Sequence, residues 1–291
     1  MRMPYPTDLS DSEWACLEPH LLTPQATGRP RIHSPREILD AIFYVLRSGC
    51  PWRLLPHDFP PWKTVFHYFR KWRIDGSWER INRAVRERLR VRLGRNSQPS
   101  AGIVDSQSVK TTGVGGEDRG YDGGKKIRGR KRHLLVDTEG FVLKVKVHSA
   151  KILDQEGIKP LLARAGEQFF RLKHLWLDAG YRGEDKGKGW VEKTLGWAVE
   201  LVERPRKPAA KEVLKLWAKE WSKEGGVLNW EELLPPRGFH VLPLRWAVER
   251  SFAWICHNRR MAKGYERLCA TSEAFVYAAM TRLMVRRLAR V

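Results

Sequence analysis

The feature that most constrains this chain is a single change of hydrophobic period. Up to residue 93 the apolar residues recur at helical spacing, as in Ile38, Ala41, Ile42, Val45 and Leu46. Gly94-Arg95-Asn96-Ser97-Gln98-Pro99-Ser100 then forms a polar stretch rich in breakers. Beyond it, short apolar runs alternate with helical patterns. The spacing therefore predicts an all-α region over 1–96 and an α/β region over 97–291 built around one sheet.

Local signals sharpen the helical part. Ser10-Asp11-Ser12-Glu13 and Ser34-Pro35-Arg36-Glu37 are capping boxes, the second with proline at the first helical position. Gly49 fits a helix stop. A third helix is predicted over Thr64 to Arg73, with Val65, Tyr68, Phe69 and Trp72 inward and Lys63, His67, Arg70, Lys71 and Arg73 outward. A fourth starts near Ser77 and buries Trp78, Ile81, Val85 and Leu89. Short helices joined by tight turns, with one basic side, resemble a helix-turn-helix arrangement.

Charge narrows the partner. The chain has 291 residues and a formal net charge of +21. Residues 62–95 alone hold eleven lysines and arginines against three acids. Such an excess points first to a polyanion, with nucleic acid ahead of a membrane surface or a merely basic soluble protein. There is no apolar signal core at the N-terminus and no run long enough to span a bilayer. The four cysteines, Cys16, Cys50, Cys256 and Cys269, show no metal-binding spacing and read as reduced core thiols. A soluble, intracellular protein is expected.

In the second part, Ala101–Val104 is an apolar run ending at Asp105, and His174–Leu177 one ending at Asp178. Arg132–Val136 and Phe141–Val147 read as strands around an Asp137-Thr138-Glu139-Gly140 turn, with Lys144, Lys146 and His148 on the open side. Ile158, Leu161 and Leu162 mark a helix, Trp190–Gly196 another, and Ala198–Val202 a strand. About 206–236 fits this pattern poorly and reads as a helical insertion.

Asp105 and Asp178 share a setting, since ligands gather at the carboxyl ends of strands in α/β sheets. The alternative for each is an aspartate capping a turn. Glu249 belongs to Arg245-Trp-Ala-Val-Glu-Arg-Ser-Phe-Ala-Trp254, where Trp246, Val248, Phe252, Ala253, Ile255 and Cys256 form an apolar arc. On a helical wheel Arg245 and Glu249 fall inside that arc. A carboxylate on a burying face needs a partner, either Arg245 or a metal held with the two aspartates. Two Asp and one Glu are hard oxygen ligands, suited to magnesium or manganese rather than zinc.

The phrases ILDAIFYVLRSGCPWRLLPHDFPPWKTVFHYFRKW (38–72), GRPR (28–31), GSWERI (76–81), VDSQSVK (104–110), GRKRHLLVD (129–137), LDAGYRG (177–183) and RWAVERSFAW (245–254) resemble a DDE transposase of a bacterial insertion sequence, of the insertion-sequence-five kind. The resemblance covers nearly the whole chain. It implies a helical DNA-binding domain over 1–96 and a ribonuclease-H-like catalytic domain over 97–291. It also implies that Asp105, Asp178 and Glu249 are the catalytic, metal-holding triad, separated by 178−105 = 73 and 249−178 = 71 residues. Of the family's Tyr-x2-Arg-x3-Glu-x6-Lys signature, Arg245 and Glu249 match, whereas Leu242 and Cys256 replace the tyrosine and lysine. Arg259, Arg260 or Lys263 are the candidates to replace that lysine.

The implied reaction cuts the element's ends, and the freed 3′-hydroxyls attack target DNA. Two Mg2+ or Mn2+ ions would assist, and a homodimer would bring two ends together. Arg245 would contact a phosphate, and Lys125, Lys126, Arg128, Arg130, Lys131 and Arg132 would grip the DNA backbone. Lys63, Arg70, Lys71 and Arg73 would do so from the N-terminal helices. The competing readings are a non-mobile nuclease or resolvase on the same fold, and an inactive DNA-binding remnant.

Overall fold

The computed structural model describes residues 2–21, 32–114, 116–202, 218–221 and 245–290, with Arg245 described for its backbone alone. The GRPR stretch, most of 206–236 and Leu242 lie outside the described residues.

Four helices open the chain: α1 (Asp11–Leu17), α2 (Pro35–Ser48), α3 (Trp62–Ile74) and α4 (Ser77–Arg92). Both capping boxes form, Ser10 with Glu13 and Ser34 with Glu37. Gly49 ends α2 at φ +76°, a conformation that favours glycine. The predicted inward residues of α2 and α4 are all buried, as are Val65, Phe69 and Trp72 of α3.

Beyond them the described residues build one mixed sheet from β1 (Ala101–Lys110), β2 (Gly120–Asp122), β3 (Ile127–Asp137), β4 (Val142–Ser149), β5 (His174–Asp178) and β6 (Ala198–Val202). Across it run β4, β3, β1, β5 and β6, with short β2 pairing the start of β3. The β4–β3 and β3–β1 pairs are antiparallel; β1–β5 and β5–β6 are parallel. Helices α5 (Asp154–Leu162), α6 (Ala165–Gln168) and α7 (Gly187–Leu195) follow β4 and β5. Helices α8 (Arg245–Cys256) and α9 (Cys269–Leu288) end the chain. This is the ribonuclease-H-like mixed sheet flanked by helices that the sequence implies.

The period of two divides the sheet cleanly. Val104, Leu135, Leu143, Leu175 and Leu177 pack against α5, α6 and α7. Ile103, Leu134, Val136, Val145 and Val147 pack on the other side with α8 and α9. Helix α9 is buried around most of its surface, at Phe275, Val276, Ala278, Met280 and Met284 among others. It lies between the sheet and the N-terminal helices, and Phe275 stacks on Phe69 at 4.4 Å.

The N-terminal helices therefore do not own a separate core. Leu17, Phe43, Val65, Trp78 and Leu89 belong to the same buried cluster as Ile103, Val248 and Phe275. The polar stretch 94–100 marks a change of secondary structure, not a gap in the packing. Arg86 and Arg90 reinforce the join. Arg90 Nη1 lies 2.5 Å from the carboxylate of Asp137, and Arg86 Nη1 donates to the Val142 carbonyl at 3.1 Å. Two of the eleven basic residues of 62–95 are thus spent inside the protein rather than on a basic face.

Candidate active site

Asp105 does not end its strand. β1 continues to Lys110, because β3 supplies antiparallel partners through Lys110↔Gly129. What ends near Asp105 is the pairing with β5, whose last partners are Ile103 and Trp176. Asp105 and Asp178 each lie two residues beyond that couple, so they sit level on neighbouring parallel strands. The polar residues after Asp105 stay in the strand by using local partners: Ser106 on Asp154, Ser108 on Asp122 and Gln107 on Cys256.

The two aspartates line one small crevice together with Ile103, Trp176, Val202 and Val248. One oxygen of each is oriented by backbone. Asp105 Oδ1 accepts from Ser106 N at 2.7 Å, and Asp178 Oδ1 accepts from Gly180 N at 2.8 Å. The turn-capping alternative is therefore realised at Asp178, and it fixes the carboxylate beside the crevice.

Glu249 is carried by α8, next to Val248, but the helix is rotated from the expected setting. Its buried seam is Ala247, Val248, Ser251, Phe252 and Ile255. Ser251 is included because its hydroxyl donates to the Gly140 carbonyl at 2.6 Å and the Ala247 carbonyl at 2.8 Å. Trp246, Ala253 and Glu249 are exposed in consequence. The expectation of a carboxylate inside the burying arc is thus corrected: Glu249 lies on the exposed side of α8. Among the described residues, no three His, Cys, Asp or Glu side chains are gathered at metal-holding distance. The donor chemistry of Asp105 and Asp178 fits a divalent cation; Glu249 is on the adjoining helix but not assembled with them.

Behind the aspartates lies a buried polar network that sequence reasoning missed. Asp154, at the start of α5, accepts from Ser106 Oγ at 2.8 Å and pairs with Lys131 Nζ at 2.9 Å. Burial opposes its ionisation, but the hydrogen bonds from Lys131 and Ser106 outweigh that and hold its carboxyl below the usual range. His133 stacks on His148, with Nδ1 and Nε2 2.8 Å apart. Burial first, then His148, pushes His133 down to about 3. Gly157 lets α5 approach, since a Cβ there would lie 2.4 Å from the His133 ring. The ring of Tyr181 is fully buried, and burial followed by Asp105, Asp154 and Asp178 raises its phenol well above 10. His148 was expected on the open side of β4; its pairing with His133 explains why it is buried.

The predicted basic grip divides by position along the chain, its first three residues exposed and its last three buried. Lys125, Lys126 and Arg128 are exposed around the β2–β3 turn, and Lys125 Nζ reaches the Ser106 carbonyl at 3.3 Å, beside Asp105. Arg130, Lys131 and Arg132 are buried and internally bonded. Arg130 donates to the Glu117, Glu266 and Arg267 carbonyls; Arg132 donates to those of Met261 and Lys263. Arg260 is likewise structural, paired with Glu266 at 2.6 Å and donating to the Cys50 carbonyl at 3.0 Å. All four side chains are buried and bonded within the protein. Arg259, Lys63, Arg70 and Lys71 are exposed and Arg73 half-buried. The side chain of Arg245 lies outside the described residues. Cys256 packs against Gln107, two residues past Asp105, so the position of the missing signature lysine does adjoin the site.

A family model described as "Transposase DDE domain" matches residues 96–284. The chain belongs to the DDE transposase family. A second model, "Putative transposase of IS4/5 family", matches residues 9–82 of the transposase, the N-terminal helical part. The transposase is also 30% identical over 114 residues to a protein of Burkholderia cepacia called "Insertion element IS402 uncharacterized 16.2 kDa protein". That match covers 37% of this chain and 76% of the relative. No solved structure matches the transposase. Its domain is that of enzymes that act on DNA with a divalent metal ion. Among the described residues, no helix is long and apolar enough to cross a membrane.

Proposed function

We propose that this transposase cuts DNA at the terminal inverted repeats of its insertion element and joins the freed 3′-hydroxyls to target DNA, with Asp105, Asp178 and Glu249 as the catalytic carboxylates. The observation that carries the assignment is the level placement of Asp105 and Asp178 on adjacent parallel strands, opening into one crevice bounded by the residue before Glu249. The hard oxygen donors favour Mg2+ or Mn2+, and two ions are proposed. When bound, such ions activate the attacking oxygen and stabilise charge on the phosphate.

The chain's own residues hold the reactants. Asp105 and Asp178 each have one carboxylate oxygen held by a backbone N–H. Glu249 approaches from α8 to complete the set. In the first step water attacks the phosphodiester, the phosphorus–oxygen bond to the 3′-oxygen breaks, and a 3′-hydroxyl is released. In the second, that hydroxyl attacks a target phosphodiester, and one ester is exchanged for another. Lys125, Lys126, Arg128 and Arg245 are assigned to the DNA backbone near the site, and Lys63, Arg70, Lys71, Arg73 and Arg259 to more distant phosphates. A homodimer pairs the two element ends, and the work is done on the nucleoid in the cytoplasm.

The test is a strand-transfer assay with a purified element-end duplex, a target plasmid and magnesium. Joined product is expected. Cutting without joining would favour the nuclease or resolvase reading. Tight binding with neither reaction would favour the inactive remnant.

A further inference from the structure

A second basic concavity lies away from the carboxylates. It is an open pocket of about 220 Å³ between α2, the end of α8 and α9, lined by Arg47, Trp254, His257, Arg282, Leu283 and Arg286. Arg47 donates to the His257 carbonyl, which fixes its guanidinium at the rim. Arg282 is partly buried over the Phe43 ring, with its Cζ 5.9 Å from the centroid. Among the described residues, Glu13 is the carboxylate that acts on this group, 3.5 Å from Arg286. Glu13 thus acts on both Arg282 and Arg286, and Arg47 adds a third guanidinium to the pocket. Burial, then Arg286, and further Arg47 push Arg282 down to about 10 against the opposing pull of Glu13. Like charges held together at that cost are relieved by an anion.

A ladder of stacked groups leads to this pocket along α8. Arg250 lies over Trp246 at 4.2 Å and over Trp254 at 4.6 Å, and Arg287 lies over Trp254 at 4.3 Å. Trp246 is 45% exposed and stands three residues before Glu249. Glu249 and His257 are separated by eight residues, a rise of about 12 Å on a helical path. That is roughly three to four nucleotide steps along a strand.

We propose that the Arg47–Arg282–Arg286 pocket binds a backbone phosphodiester of the element-end DNA, a few nucleotides from the bond that is cut, with the Trp246–Arg250–Trp254 ladder flanking the path between. The arginine fork suits paired phosphate oxygens, and the apolar wall of Trp254 and Leu283 suits the sugar. The inference rests on the transposase reading of the carboxylate site and adds where its DNA runs.

The experiment measures binding of an element-end duplex in EDTA, which stops cleavage, across a series of KCl concentrations. Arg282→Gln and Arg47→Gln are compared with the wild-type protein. Each is expected to weaken binding about tenfold and to lower the salt slope by roughly 0.9 for each phosphate that is no longer neutralised. Melting curves check that the variants fold. Independently of any variant, arginine-specific labelling of the wild-type protein with hydroxyphenylglyoxal, read by mass spectrometry, is expected to show Arg47 and Arg286 protected by the duplex. If the wild-type protein fails to bind element ends, the transposase reading itself fails. If it binds, but variant affinity and slope are unchanged and labelling is unaffected by DNA, the pocket is overturned as a DNA site. Protection that rises with protein concentration in the absence of DNA would overturn it in favour of a second copy.

Discussion

Asp137 is the point at which the N-terminal helices and the catalytic sheet are held to one another. Its carboxylate is fully buried at the end of β3, with Arg90 of α4 at 2.5 Å. Its Oδ1 accepts from Glu139 N at 3.0 Å and Phe141 N at 2.8 Å. Asp137→Asn retains the shape and an acceptor but leaves Arg90 buried without its counter-charge. Breaking a buried pair from one side costs about 3–5 kcal/mol. A protein of ordinary stability has about 5–15 kcal/mol in all. The urea midpoint should therefore fall by roughly a fifth or more. Arg90→Gln combined with Asp137→Asn removes both charges and keeps polar partners, so the double variant should lose less than the single one. Because Phe275 and Leu89 share one core with Ile103, tryptophan fluorescence and far-ultraviolet circular dichroism should report the same single transition. Two separate transitions, or a loss below about 1 kcal/mol for Asp137→Asn, would refute the claim that the helices and the sheet form one unit.

Other outcomes follow from the buried network. His133 is near 3 in the folded chain against about 6.5 when unfolded. Above pH 6.5 both states are neutral; below it the unfolded state takes up the proton, and stability falls toward pH 3. At about pH 5 the loss is about 2 kcal/mol from this residue, and His133→Gln should flatten the melting-temperature profile between pH 6.5 and 4. Gly157→Ala places a methyl against both histidines, and unfolding should show a loss of about 1–3 kcal/mol. Tyr181→Phe removes a phenol that faces Asp105, Asp154 and Asp178. It should leave DNA binding unchanged and slow cleavage about tenfold, and an unchanged cleavage rate would dismiss a positioning role.

The elements were legible where local rules act alone. Ser10 and Ser34 announced their helices through short-range hydrogen bonds, and Val85 and Leu89 announced an inward face by spacing. Asp105 and Asp178 were legible as a pair because each follows a short apolar run. The continuation of β1 past Asp105 was not, since Ser106, Gln107 and Ser108 look like a turn until β3 and Asp154 supply their partners. The burial of Arg130, Lys131, Arg132 and Arg260 was not legible for a related reason. A run of cations reads as a surface, whereas here backbone carbonyls at Met261, Lys263, Glu266 and Arg267 receive Arg130 and Arg132. The signal that was available is the alternation along β3, which places Arg130 and Arg132 on the side of Leu134 and Val136. The setting of α8 was missed because Ser251, polar in sequence, is buried by its bond to Gly140.

The central claim is that Asp105, Asp178 and Glu249 act together in phosphoryl transfer although only the first two share a crevice in this structure. It is tested by measuring magnesium-dependent nicking of an element-end duplex alongside its binding, for Asp105→Asn, Asp178→Asn and Glu249→Gln. Each variant is expected to bind the duplex within about twofold of the wild-type protein and to lose nicking by about 1,000-fold or more, as when one member of a catalytic set is removed. Wild-type nicking by any one of the three would contradict the assignment.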